Sequence, residues 1–231
     1  MLLERTRLVR DPVANGVGFP PGAGRPVFLI PGYLAGDVSL APLARALRRA
    51  GYRTKSAGVR LNIGCANAMT APIEARLERH VARNGGRKVL LIGQSRGGVF
   101  ARLIAARRPD LVDGLITLGA PILDPLAVHL FVILNVGFVG ALGTLGLPGV
   151  LSLDCTREGA CCEMRHQYEL PLPADTPFVS IYSRSDGIVD WRACLEPGAR
   201  LVEVDSSHCG MAWNVDVFRA IGSELARAVR H

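Results

Sequence analysis

The chain is short of lysine, of charge in general and of aromatic side chains. Of its 27 basic residues only Lys55 and Lys88 are lysines. Charged residues fill 20% and aromatics 6% of its 231 positions. The formal net charge of +7 is scattered, with arginines at 45, 48 and 49 in one segment and at 102, 107 and 108 in another. No basic run is interleaved with aromatics, which argues against nucleic acid as a partner. Spread in this way, the positive charge predicts at most a weak contact with a membrane or anionic lipid surface. Six cysteines are present, at 65, 155, 161, 162, 194 and 209, yet no C-x-x-C pair occurs. Zinc is therefore not expected, nor any other metal. A disulfide within the group Cys155, Cys161 and Cys162, or from that group to Cys194, is an expectation that intact mass with and without reductant reads directly. The opening "MLLERTRLVRDPVANG" lacks an apolar core of signal-peptide length. A cytoplasmic protein is expected, with an already trimmed secreted form as the alternative. No internal repeat is evident.

What the sequence does contain is apolar matter in quantity, 49% of all residues. That is enough for one large α/β domain with a substantial core, and composition leaves only the first ~25 residues open to disorder. Short apolar runs alternate with helical patterns. "RPVFLIPG" (residues 25–32) reads as a strand buried on both faces and stopped by Pro31-Gly32. "SLAPLARALRRAG" (39–51) reads as a helix, with Leu40, Leu43, Ala44 and Leu47 on one face and Gly51 as its stop. "YRTKSAGV" gives a second strand and residues 69–84 a second helix, with Ile73, Leu77 and Val81 four residues apart. "RKVLLIG" is the central strand, because successive apolar residues suit burial on both faces. A helix follows over 97–108, then strands in "VDGLITLGAP", "PFVSIYSRSD" and "RLVEVDSSH", and a last helix over 214–229. This alternation predicts an α/β fold with a mostly parallel central sheet and helices on both faces.

One segment interrupts the pattern. Residues 130–153, "LFVILNVGFVGALGTLGLPGVLSL", run for 24 positions without a charge. Length and hydropathy would allow a membrane span, but five glycines and Pro148 weaken an isolated helix. Buried core is a second reading. An apolar, lid-like cover over a binding cleft is the preferred one.

"GQSRG" (93–97) matches G-x-S-x-G in the context that motif requires, a strand before and a helix after. The serine must stand on a tight, strained turn, and side chains at 93 and 97 would collide across it. The helix beginning there directs unsatisfied N–H groups at the reaction centre. A serine hydroxyl needs a base, and the base needs an orienting acid. Among five histidines, His80 sits on a charged helix face, His231 is terminal, and His129 and His166 flank the apolar segment. His208 alone follows the final strand in a short loop, "SSHCGM". Asp186, just past a strand in "SRSDG", is the candidate acid ahead of Asp190, read as a surface or capping residue, and Asp205. Two backbone donors for an oxyanion are the N–H of Arg96, after the serine, and that of Tyr33, where Gly32 lets the chain turn. Each such donor contributes about 10²–10³ in rate.

With "LIPGYLAGDVSLAPLARALRRAGY", "LIGQSRGG", "TLGAP", "SIYSRSDGIVDW" and "VEVDSSHCGM" in place, residues 26–230 resemble the α/β-hydrolase superfamily, and within it small bacterial lipases and esterases. The resemblance implies a single domain over 1–231 with 121–165 as a cap or lid. It also implies a triad of Ser95, Asp186 and His208 in that chain order, and an oxyanion loop at Pro31-Gly32-Tyr33, where many relatives carry His-Gly. The expected activity is cleavage of carboxylic esters, with apolar acyl chains, through an acyl-enzyme, with no metal or organic cofactor and a small-molecule or lipid ester as partner. An acyltransferase using the same triad, or a non-catalytic protein binding lipid or membrane, are the alternatives.

Overall fold

Six strands are laid down by the apolar runs: β1 Pro26–Ile30, β2 Arg53–Ser56, β3 Val89–Gln94, β4 Val112–Leu118, β5 Phe178–Tyr182 and β6 Arg200–Glu203. The computed structural model describes residues 2–157 and 170–228. All strands are parallel, in the order β2-β1-β3-β4-β5-β6. Parallel neighbours need crossovers, usually helical. Three are supplied by α2 Ala41–Arg49, α3 Ala66–Arg83 and α4 Arg96–Arg107, which link β1 to β2, β2 to β3 and β3 to β4, and a C-terminal helix Val215–Ala228 follows β6. The central strands β1 and β3 are buried at every position, and their side chains alternate between two cores. Val27, Leu29, Leu90 and Ile92 meet Leu43 and Leu47 of α2 and Phe218 and Ile221 of the C-terminal helix. Phe28, Ile30, Val89 and Leu91 meet Ile73 and Leu77 of α3 and Phe100 and Ile104 of α4. The edge strands β2 and β6 are only four residues each and carry Arg53, Lys55, Arg200 and Glu203, which discourages further strand pairing.

From β1 the chain passes to β2 on one side and then to β3 on the other. The loops leaving the carboxyl ends of β1 and β3 therefore part in opposite directions, and a crevice forms where they separate.

One expectation needs correction, for His80, and two readings left open by the sequence are narrowed. The first ~25 residues, where composition allows disorder, form α1 Leu2–Arg10 and a 3₁₀ turn Pro12–Asn15, capped by Asp11. Leu8, Val13 and Phe19 anchor this segment in the first core. His80 is not on an outward charged face of α3: it is buried beside Ile73, Leu77 and Val81. Its Nε2 lies 3.2 Å from the carbonyl of Arg53, and burial lowers its pKa. The charge-free stretch is neither a membrane span nor plain core. It forms α5 Leu130–Thr144, a 15-residue helix about 22 Å long. Among the described residues no helix is long and apolar enough to cross a membrane. Leu130, Phe131, Leu134 and Phe138 are exposed.

Two glycines of α5, Gly140 and Gly143, have a packing reason. A Cβ at Gly143 would stand 2.1 Å from the carbonyl oxygen of Leu151, so the returning chain lies directly on the helix backbone. A short helix α6 Asp154–Arg157 follows, and the C-terminal helix Val215–Ala228 is α7. Cys155 and Cys194 are separate thiols. Cys161, Cys162, His166, Val229 and His231, with part of the 121–165 segment, lie outside the described residues.

Candidate active site

At the end of β3 the backbone turns at Ser95 with φ +51° and ψ −127°, and α4 starts at the next residue. A non-glycine residue held at positive φ is strained by about 1–3 kcal/mol and persists only when its surroundings dictate it. Those surroundings are close. A Cβ at Gly93 would lie 2.4 Å from the carbonyl oxygen of Gly97 and 2.5 Å from the Cα of Gly98. At Gly97 it would lie 2.3 Å from the carbonyl oxygen of Ile30 and 2.4 Å from that of Pro31. Thus Gly93 avoids a collision across the turn, as the sequence suggested, whereas Gly97 makes room for the end of β1. Gly98 completes the set, since its Cβ would meet that of Ala120 at 2.5 Å. The Ser95 N–H donates to Leu118 O at 2.9 Å, tying the turn to β4.

His208 stands in the loop after β6, and its Nε2 is 3.0 Å from Ser95 Oγ. Its Nδ1 is 2.8 Å from Asp186 Oδ2. The other carboxylate oxygen accepts the N–H groups of Ile188 at 3.0 Å and Val189 at 2.7 Å. A carboxylate can only accept, so Nδ1 carries the proton and Nε2 presents a lone pair to the serine hydroxyl. Asp186 and His208 are both buried, which strengthens these bonds relative to water. Their backbones are joined as well: the His208 N–H donates to Asp186 O at 3.1 Å. From the other side Gln94 Nε2 donates to His208 O at 3.1 Å. The sequence rivals are occupied elsewhere. Asp190 accepts the N–H of Arg192 and so caps a short 3₁₀ turn. Asp205 accepts the hydroxyl of Ser185 at 2.7 Å, and His129 caps α5 by accepting the Phe131 N–H.

The loop after β1 lies against the serine: a Cβ at Gly32 would be 3.1 Å from the Ser95 Cβ. Buried Asn62, from the loop after β2, holds this segment. Its Nδ2 donates to Pro31 O at 2.9 Å, its N–H donates to Ala35 O, and its carbonyl accepts the Leu34 N–H. Arg96 locks Asn62 in turn, donating to Asn62 Oδ1 at 2.9 Å and to Gly64 O at 2.7 Å. Its guanidinium also lies 4.8 Å from the Phe100 ring centroid and 5.9 Å from that of Tyr33. The side chain thus braces two loops. Tyr33 reaches the apolar insertion, its phenol donating to Asn135 Oδ1 of α5 at 3.0 Å, and burial raises the phenol pKa against the opposing charge of Arg96.

Gln94, Asn62 and Asn135 were not legible from the sequence. Gln94 occupies the variable position of the motif, and the two asparagines have no spacing that links them to it. Among the described residues no group of three or more His, Cys, Asp or Glu could hold a metal ion. A cavity of about 410 Å³ is bounded by Leu61, Ile63, Met69 and Pro148 and is not lined by Ser95 or His208.

A doubly wound parallel sheet with a strained serine at its switch point defines an α/β architecture built around a strand-to-helix turn. A profile of the alpha/beta hydrolase fold matches residues 25–142, and the chain belongs to that family. No curated protein sequence matches it. Among solved structures it is similar to the mature lipase BlEst2 of Bacillus licheniformis, at 18% identity over 89% of this chain and 94% of that one, with a TM-score of 0.64. A soluble variant of monoglyceride lipase from Saccharomyces cerevisiae, in complex with a substrate analogue, matches at 17% identity over 93% and 88%, with a TM-score of 0.61. A methylesterase from Arabidopsis matches at 16% identity over 89% and 99%, with a TM-score of 0.57. At such identities the likeness is one of fold.

Proposed function

We propose that the protein is a serine hydrolase of carboxylic esters, working through an acyl-enzyme. The observation that carries this reading is the unbroken hydrogen-bond chain from Ser95 Oγ through His208 to Asp186, at a strained turn that presents the hydroxyl. Ser95 Oγ attacks the ester carbonyl carbon while His208 Nε2 takes its proton. The charge on the resulting imidazolium is stabilised by Asp186, which stays ionised. The oxyanion is received by the backbone N–H groups of Tyr33 and Arg96. His208 then protonates the leaving alcohol. Water, deprotonated by the same histidine, attacks the acyl-serine and releases the acid. No step calls on a metal or organic cofactor.

The exposed apolar face of α5, joined to Tyr33 through Asn135, supports residues 121–165 as a cap and favours apolar acyl chains. That two structures of like fold are called lipases and a third a methylesterase agrees with this class. A fluorophosphonate probe and p-nitrophenyl esters of increasing acyl length test it. Wild type should label and hydrolyse, with octanoate preferred to acetate. Ser95→Ala should abolish labelling and lower kcat by on the order of 10⁶. Folded wild type that neither labels nor hydrolyses would refute the reading, and a preference for acetate would refute the acyl-chain part alone.

A further inference from the structure

The loop that carries His208 is held from the other end of the chain. Between β6 and α7 there is little regular structure, so backbone donors in this loop need partners from elsewhere. Glu4, in the first turn of α1, provides them. Its Oε1 accepts the Ser207 N–H at 2.9 Å, the Ser206 hydroxyl at 3.2 Å and Asn214 Nδ2 at 3.2 Å. Its Oε2 accepts the Ser207 hydroxyl at 2.7 Å. Asn214 extends the brace, donating to Asp205 O at 2.9 Å and accepting the Asp216 N–H at the start of α7. Gly210 leaves the carboxylate its place: a Cβ there would come within 2.3 Å of both Glu4 oxygens. Arg5 lies 4.8 Å from the Trp213 ring centroid, and Leu8 is buried in the core, so α1 as a whole sits on this loop. Residues 206, 207, 210 and 214, on both sides of the histidine, thus all meet one carboxylate.

We propose that Glu4 is a positioning residue for the hydrolysis, fixing the His208 loop so that the imidazole meets Ser95 and Asp186 together. The inference rests on the assignment of His208 as the base. Displacing a base by about 1 Å costs on the order of 10²-fold in rate, and these four bonds of Glu4 go to Ser206, Ser207 and Asn214, not to Ser95 or His208 themselves. The signature is therefore a loss in kcat without a rise in KM.

The test compares Glu4→Ala, Glu4→Gln and Gly210→Ala with wild type on p-nitrophenyl octanoate, at a temperature where each is folded by circular dichroism. Glu4→Ala should lower kcat by about 10- to 100-fold with KM within about twofold. Glu4→Gln keeps an acceptor for the Ser207 N–H and should recover most of the rate. Gly210→Ala leaves Glu4 in the chain but expels its carboxylate, so it should reproduce Glu4→Ala. Thr6→Ala is the control on the same helix, since among the described residues that hydroxyl bonds to Leu2 O and Leu3 O alone, and should match wild type. A purely structural helix would lower the melting temperature and leave kcat alone. Folded Glu4→Ala or Gly210→Ala with wild-type kcat, or a loss confined to KM, overturns the proposal. If wild type itself shows no Ser95-dependent turnover, the hydrolase reading has failed and the role of Glu4 in it falls as well.

Discussion

The two arms of the site are built in contrasting ways. The turn bearing Ser95 is set by its immediate neighbours: a buried strand, three glycines in backbone contact, and a helix that starts at once. The loop bearing His208 has no such local frame, and Asp186, Gln94 and Glu4 fix it from 22, 114 and about 203 positions away. Glycines in the two arms make the difference concrete. A Cβ at Gly97 meets backbone carbonyls at 2.3 and 2.4 Å, whereas the nearest atoms to one at Gly210 are those of the Glu4 carboxylate, the tip of a side chain. The first obstacle cannot move without dislodging β1. The second can swing aside. Rigidity in the serine arm is therefore intrinsic to the chain there, while in the histidine arm it is conferred by cross-bracing, and each can be broken without the other.

The largest effect is expected from breaking the histidine arm at its acid. Asp186→Asn retains an oxygen for the N–H groups of Ile188 and Val189, so the loop should stay in place. The amide, however, offers N–H where Nδ1 of His208 needs an acceptor. The imidazole then turns to the other tautomer, with Nε2 protonated and unable to accept from Ser95. A fall in kcat of on the order of 10⁴ is expected, with a melting temperature close to that of wild type. A fall below about tenfold would mean that His208 is oriented without its carboxylate and that the cross-bracing described here is not what sets it.

Next in size is the turn at Ser95. Gly97→Ala should destabilise the protein by about 3 kcal/mol or more, because the added methyl overlaps main-chain oxygens that have no alternative position. Urea unfolding measures it. A cost below about 1 kcal/mol would show that β1 and the turn at Ser95 can part easily, and the contrast between the arms would fail.

This division also explains what could be read from the sequence. The succession of strands and helices along the chain, the α/β class and the turn at Ser95 were legible because apolar runs and close-packed glycines leave local patterns. Helix α1 was not, since Leu2, Leu3 and Val9 are exposed and Leu8 alone is buried, which leaves no helical period to detect. In α5 the reverse holds: apolar residues on every side give no face, so hydropathy could not distinguish a span, a core helix and a cover. His80 was misplaced because α3 buries it between apolar neighbours at helical spacing, where a ring that can bond to Arg53 O fits as well as a hydrocarbon. Glu4, Asn62 and Gln94 are polar residues whose partners lie far along the chain, and nothing in their spacing announces them.

The smallest effect is a difference in reactivity that probes how closed the acid side of the histidine arm is. Cys194 packs with Tyr182 and Val189 beneath the Asp186 loop, while Cys209, next to His208, is exposed. Burial, and then the charges of Asp186 and Asp190, push the Cys194 thiol up to about 12. At pH 8 only about one thiol in 10⁴ would then be the reactive thiolate. In native protein, iodoacetamide should modify Cys209 within minutes and leave Cys194 intact for hours, as peptide mapping would record. Asp186→Asn should leave that protection in place, because its Oδ1 still ties down Ile188 and Val189 over the cysteine. Rapid modification of Cys194 in wild type would mean that the Asp186 loop opens readily. In that case the acid would be no better fixed than an exposed loop residue, and the histidine arm would owe its geometry to Gln94 and Glu4 instead.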